Sequence, residues 1–142
     1  MRQTRKAFTL LELMVVIIIL GLLASIVLPN LIGQANTAKR GTVCTQMTMI
    51  SDQLKQYRLH LGDYPSTEEG IKALVKNPDP VRYTNYPEES FFDEGRMPKD
   101  AWGHEFIYVE DEGKFEIISL GSDAKEGGEG EKADITYTSC KK

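Results

Sequence analysis

From Phe8 to Leu28 almost every position is apolar, broken only by Thr9, Glu12, Ser25 and a glycine. Wound as an α-helix, that run is about 30 Å long, the thickness of a bilayer's hydrocarbon core. After Pro29 and Asn30 the pattern changes. Leu31, Ile32, Ala35, Ala38, Val43, Met47, Ile50, Leu54, Tyr57 and Leu61 recur mostly every three or four positions. Gln34, Lys39, Gln46, Asp52, Gln53 and Lys55 fill the positions between them. This spacing predicts that one helix continues to about His60, apolar all round at first and amphipathic afterwards. Pro29 should kink it, Gly33 and Gly41 should weaken it, and Gly62 before Asp63 should end it.

The remaining pattern is shorter-ranged. Ser66 and Glu69 have the spacing of a capping box, and Ile71, Leu74 and Val75 supply an apolar face, so a short second helix is expected up to Asn77-Pro78. From Asn77 to Asp100 four prolines interrupt any periodicity, leaving a long loop anchored by Tyr83, Tyr86, Phe91 and Phe92. His104–Glu110 and Lys114–Ser119 alternate as strands, and Asp111-Glu112-Gly113 joins them into a hairpin. Two strands are marginal alone, so the hairpin must rest on the amphipathic helix, with Trp102 as the large aromatic of that contact. His104 reads as a strand residue. The fold class is α+β, a long helix packed on a small antiparallel sheet. Its divisions are residues 1–7, the apolar segment 8–28, the amphipathic segment 29–61 and a globular region 62–142.

Charge gives the apolar segment a direction. Arg2, Arg5 and Lys6 precede it, so the start of the chain should stay on the cytoplasmic side and the rest should lie outside. The chain holds 17 basic and 21 acidic residues. That balance does not suit nucleic acid, which is bound through basic clusters. Cys44 and Cys140 lack zinc-ligand spacing, and His60 and His104 are isolated; outside the membrane the two thiols are free to pair or to remain apart. There is no catalytic Ser/His/Asp set, Gly-rich phosphate loop or paired histidine, so the chain reads as a non-enzyme.

Two stretches hold candidate chemistry. Glu12 is a carboxylate within a membrane-length helix, where a lone charge costs at least about 2.5–3.5 kcal/mol. Its nearest cations are Arg5 and Lys6, or a new terminal amine if the chain is cut before Phe8; otherwise it reaches back to the interface beside Lys6. The second stretch, Ser119–Ile135, is rich in glycine and carboxylates. It reads either as a solvated acidic loop or as a source of hard oxygen ligands, the kind that Ca²⁺ takes six to eight of.

Lys6-Ala7-Phe8-Thr9-Leu10-Leu11-Glu12 ahead of a long apolar run resembles the signal of type IV pilins and pseudopilins. Three further blocks resemble the major pseudopilins of the type II secretion system. They are Asp63-Tyr64-Pro65-Ser66-Thr67-Glu68-Glu69-Gly70, Pro98-Lys99-Asp100-Ala101-Trp102-Gly103, and Ser119-Leu120-Gly121-Ser122-Asp123 with Ala133-Asp134-Ile135. The resemblance implies a pilin-like fold and a leader, residues 1–7, cut by a prepilin peptidase between Ala7 and Phe8, with N-methylation of Phe8. It implies assembly into a helical homopolymer through Phe8 and Glu12, with minor pseudopilins and an inner-membrane platform as partners. It also implies Ca²⁺ held by the Leu120 carbonyl, Asp123, the Lys125 carbonyl and Asp134, with an acidic side chain near Glu131. The expected role is a structural subunit of the pseudopilus, a filament that drives folded proteins across the outer membrane. The location would be the inner membrane, single-pass, with the C-terminal region in the periplasm. Two other readings stay open: the major pilin of a type IV pilus, and a membrane-tethered Ca²⁺-binding module that does not polymerise.

Overall fold

A computed structural model describes residues 8–92 and 95–142, and of 28–32 the backbone only. Its elements are α1 (Leu10–Leu61), β1 (Ile107–Asp111), β2 (Lys114–Ser119), β3 (Ile135–Thr136) and α2 (Tyr137–Cys140), with short 3₁₀ turns at Ile71–Leu74, Gly121–Asp123 and Gly130–Lys132. The chain divides into two compact units, 1–37 and 38–142. The division falls inside α1 and not at its end: the amphipathic half of the helix belongs with the globular region.

α1 is one helix of 52 residues, running through Pro29 without a break. It ends as its sequence predicts, with Gly62 at φ 99° donating its N–H to the Arg58 carbonyl at 2.8 Å. Val43, Met47, Ile50, Leu54 and Tyr57 are fully buried, at steps of three and four, and form the helix side of the core. Ile71, Leu74, Phe106, Tyr108, Ile117, Ile135 and Tyr137 pack against that stripe.

Tyr57 is the hub of the loop that follows. Its ring meets those of Tyr83, Tyr86 and Phe91 at centroid distances of 6.0, 6.4 and 5.3 Å. The Tyr86 hydroxyl donates to the Ala73 carbonyl, and the Phe91 N–H donates to the Leu74 carbonyl. The loop therefore lies on the core through its predicted aromatic anchors, with Phe92 partly buried beside them.

The hairpin forms with a tighter turn than expected. Asp111 pairs with Lys114, so only Glu112 and Gly113 turn, both at positive φ. β1 begins at Ile107, and His104 lies ahead of it, with its side chain bound elsewhere. The sheet has a third strand that the alternation does not reveal: β3 is two residues long and pairs antiparallel with β2, giving the order β1-β2-β3. Ser66 and Glu69 make their reciprocal cap bonds, Glu69 N–H to Ser66 Oγ at 3.2 Å and Ser66 N–H to Glu69 Oε2 at 2.9 Å. They do not open an α-helix. Gly70 at φ 63° interrupts the chain, and only a four-residue 3₁₀ turn follows. Trp102 is half-buried beside the core, and its ring faces the ammonium of Lys39 on α1 at 5.7 Å.

The chain end returns to α1. A disulfide joins Cys44 and Cys140, 96 positions apart, closing almost the whole globular region into one loop. A cross-link of that span is worth up to about 4.7 kcal/mol in the chain-entropy view.

The Tyr57 hydroxyl is buried with no hydrogen-bond partner among the described residues. Burial raises its pKa well above the ordinary value of about 10, and burial does the same to Tyr108. A raised pKa means that the fold holds the neutral phenol, so its contribution is complete below pH 10 and is lost as pH climbs through the folded value. Tyr57→Phe should therefore leave stability at pH 7 unchanged or slightly higher, and should flatten the loss above pH 10. Thermal melts of the detergent-solubilised chain between pH 7 and 11 measure both effects.

Candidate functional site

In the N-terminal unit every described side chain from Phe8 to Val27 is exposed within the single chain, Phe8 by 81 %. Leu10–Val27 is long and apolar enough to cross a membrane. Glu12 is not simply an unpaired charge there. Its Oε2 accepts from both the N–H and the hydroxyl of Thr9, each at 3.0 Å, while its own N–H donates to Thr9 Oγ1 at 3.2 Å. Thr9 and Glu12 thus cap the start of α1 reciprocally. This use of Glu12 is written in the spacing Thr-x-x-Glu, a signal that the membrane-charge argument passes over. Ala7 and the leader lie outside the described residues; Phe8 lies just inside them.

The C-terminal loop hangs from a buried carboxylate. Asp100 Oδ1 accepts from the N–H groups of Trp102 and His104, at 3.0 and 2.8 Å, and Oδ2 accepts from the Ser119 hydroxyl at 2.7 Å. His104 Nδ1 lies 3.1 Å from the Gly121 carbonyl and 3.7 Å from Asp100 Oδ2. So Ser119 meets Asp100 and His104, which lie four positions apart, across the hairpin. The serine proton points at the carboxylate and the hydroxyl is buried, which makes the group a clamp on the end of β2 and not a nucleophile with its base.

Beyond the clamp the loop folds back over its own backbone. At Gly121 and at Gly128, both with positive φ, a Cβ would lie 2.9 and 2.7 Å from the Lys132 carbonyl oxygen. Only glycine allows the 121–123 and 130–132 turns to close on each other this tightly. Ala124 takes the left-handed conformation at φ 53°, next to Asp123, whose Oδ1 accepts from the Lys125 N–H at 3.2 Å. Asp134 Oδ2 accepts from the Gly127 N–H at 2.9 Å, whereas its Oδ1 is buried with no hydrogen-bond partner among the described residues. An orphaned buried carboxylate oxygen is costly, and it is the feature that fits a hard cation. Among the described residues no three acidic, His or Cys side chains gather at metal-holding distance, so Asp123, Glu131 and Asp134 do not form a trio. A cation here would depend on Asp123, Asp134 and backbone carbonyls such as those of Leu120 and Lys125. The clamp at Asp100 and the closure over Lys132 were not legible: strand alternation does not mark the side-chain bonds of the first, and the second uses backbone, which sequence does not mark.

Residues 30–138 match the family described as type II secretion system protein G, and residues 2–28 match the prokaryotic N-terminal methylation motif. This chain belongs to the protein G family of the type II secretion system. The core protein G of Vibrio cholerae is 42% identical over 139 residues, covering 95% of this chain and 94% of the relative. That of Pseudomonas aeruginosa is 37% identical over 140 residues, covering 94% of this chain and 95% of the relative. Among solved structures, the major pseudopilin from the type 2 secretion system of enterohaemorrhagic Escherichia coli aligns with a TM-score of 0.63 and 31% identity, covering 78% of this chain and 96% of that one. The long apolar helix with a small three-stranded antiparallel sheet is the architecture of that pseudopilin family.

The two neighbouring loop glycines provide an internal comparison. Gly127 also has positive φ, but a Cβ there would meet nothing within 4 Å. Gly127→Ala should cost only the conformational strain, about 1–2 kcal/mol. Gly128→Ala should cost about 1–3 kcal/mol more, because the Lys132 backbone must also move. Chemical denaturation of the two variants side by side checks the difference.

Proposed function

We propose that this protein G family member is the repeating subunit of a pseudopilus, a periplasmic filament. In this reading the subunit is held in the inner membrane by the Phe8–Leu28 segment, with residues from about Gln34 onward on the periplasmic side. Growth of the filament then helps to drive folded proteins across the outer membrane. The observation that carries the proposal is the continuous run of exposed apolar side chains on α1, for which the described residues offer no cover. Lipid covers it before assembly, and the same helix of other copies covers it afterwards. A prepilin peptidase, minor pseudopilins and an inner-membrane platform are the partners this reading requires.

Processing comes first. Cleavage between Ala7 and Phe8 removes three cations, and N-methylation leaves a charged secondary amine on Phe8. Intact-mass analysis of the protein from native membranes should give a chain that starts at methylated Phe8. A chain that keeps Met1 would contradict it.

Glu12 then has two roles in sequence. In the single subunit its Oε2 is engaged by Thr9, and in the filament its carboxylate pairs with the Phe8 amine of a neighbour, which offsets the cost of burying both charges. Glu12→Ala removes a charge from the membrane and should insert normally, while filament yield in sheared fractions should fall at least tenfold. Wild-type yield would remove the pairing role, and it would favour a tether that never polymerises.

For the loop, we propose Ca²⁺ as ligand. Asp134 Oδ1 is supplied with a partner, and Asp123 with the carbonyls of Leu120 and Lys125 completes the protein's share of an oxygen shell. Glu131 is the acidic side chain that would add a further oxygen. A cation that binds only the folded loop stabilises it by about 2.7 kcal/mol at a hundredfold excess over Kd. The thermal midpoint of the detergent-solubilised chain should rise in Ca²⁺ relative to EGTA, and less in Mg²⁺, which demands a smaller octahedral shell. Asp134→Ala should abolish the rise. Equal midpoints in EGTA and millimolar Ca²⁺ would leave the loop a solvated acidic surface.

A further inference from the structure

The edge of the sheet has no role in the filament reading. β1 is an edge strand, paired only with β2. With Asp111 opposite Lys114 across a two-residue turn, the backbone groups of Ile107, Val109 and Asp111 face β2, and those of Tyr108 and Glu110 face away. Glu110 is served at this edge by a single hydroxyl. Thr67 Oγ1 donates to its carbonyl at 3.0 Å and accepts from its N–H at 2.9 Å, imitating one rung of an absent strand. Among the described residues, no strand or side chain does the same for the backbone of Tyr108.

A groove of about 660 Å³ runs beside this open rung. Ile71, Met97 and Phe106 contribute to its apolar lining, and Lys72, Lys76 and Lys99 bring three ammonium groups to it. Three carboxylates also line it. Glu69 is turned to Ser66 and to the Tyr83 hydroxyl, and Glu105 lies 3.8 Å from Lys72, which leaves Glu68. The ammonium groups of Lys76 and Lys99 are exposed and have no ion pair among the described residues. An otherwise acidic chain thus presents positive charge beside an unpaired rung of strand backbone: the backbone can bond an extended segment, the apolar lining can take its alternate side chains, and the lysines favour one that bears carboxylates.

We propose that this groove binds an extended, carboxylate-bearing segment of a partner protein, paired with β1 at its one open rung, Tyr108. Backbone pairing at Tyr108 sets its direction. Alternate side chains would then point into the apolar floor, and carboxylates would meet Lys76 and Lys99. A second copy of this chain is the poorer occupant, because its own acidic stretch is folded into the 121–123 and 130–132 turns and is not extended. The proposal depends on the sheet and the groove, and not on polymerisation.

The probe is a fluorescent ten-residue peptide alternating Glu with Val, titrated against the full chain in detergent and read by anisotropy. Saturable binding is expected, weakened at least tenfold in Lys76→Glu/Lys99→Glu, a variant confined to exposed side chains whose unchanged melting would show that it folds. Two further peptides, N-methylated on the odd or on the even amides, separate strand addition from simple charge attraction: one of the two should bind at least tenfold more weakly. Three results would overturn the proposal. They are absence of saturable binding, equal binding of the same peptide with Lys in place of Glu, and undiminished binding of both methylated peptides. Self-association that the peptide competes away would assign the edge to a second copy and overturn the partner named here.

Discussion

One stripe on one helix carries the globular region. Val43, Met47, Ile50, Leu54 and Tyr57 have no exposed surface and share one core cluster with residues of the sheet, the chain end and the long loop. A sheet whose third strand is two residues long cannot hold itself together, and the 77–100 loop contains no strand or α-helix of its own among the described residues. Both rest on α1. Burial of several large apolar side chains, each worth about 1.5–3 kcal/mol, outweighs what any surface ion pair here could add. The disulfide at Cys44 then fixes the returning chain end to the same helix.

The amphipathic half and the apolar half of α1 pose the same physical problem with different solutions. After Ala38 the chain supplies its own cover. From Phe8 through Val27 the described residues supply none, and large apolar side chains such as Leu10, Ile17 and Leu22 stand exposed in the single subunit. A helix that is apolar on all faces is stable only in lipid or among other helices. Membership in the protein G family gives the biological setting for that requirement, and the unsatisfied surface gives its physical cause.

What sequence made legible follows from how local each signal is. The helix, its end at Gly62 and the hairpin depend on periodicity and turn chemistry within a few residues, and all three form, the hairpin with β1 starting at Ile107 in place of His104 and a turn one residue tighter. The short second helix did not form, because Gly70 at positive φ breaks the chain between the Ser66–Glu69 cap and the apolar residues it was expected to lead. β3 was invisible because two residues carry no alternation. His104 and Ser119 meet at Asp100 at the open end of the hairpin, where the register brings the start of β1 beside the end of β2, and strand alternation does not mark which side chains bond there. The loop's carboxylates were evident from composition. Its closure over the Lys132 carbonyl was not, since glycine density marks freedom without saying which backbone will approach.

The central claim is that the apolar half of α1 is completed by other copies of itself. Helical reconstruction of wild-type filaments at side-chain resolution tests this most directly. The account predicts Leu10–Val27 buried at the filament axis against neighbouring copies, with the Glu12 carboxylate within hydrogen-bond distance of a neighbour's Phe8 amine and the core around Tyr57 unchanged. Filaments held together through the globular regions, with the apolar helices outside the contact, would contradict it.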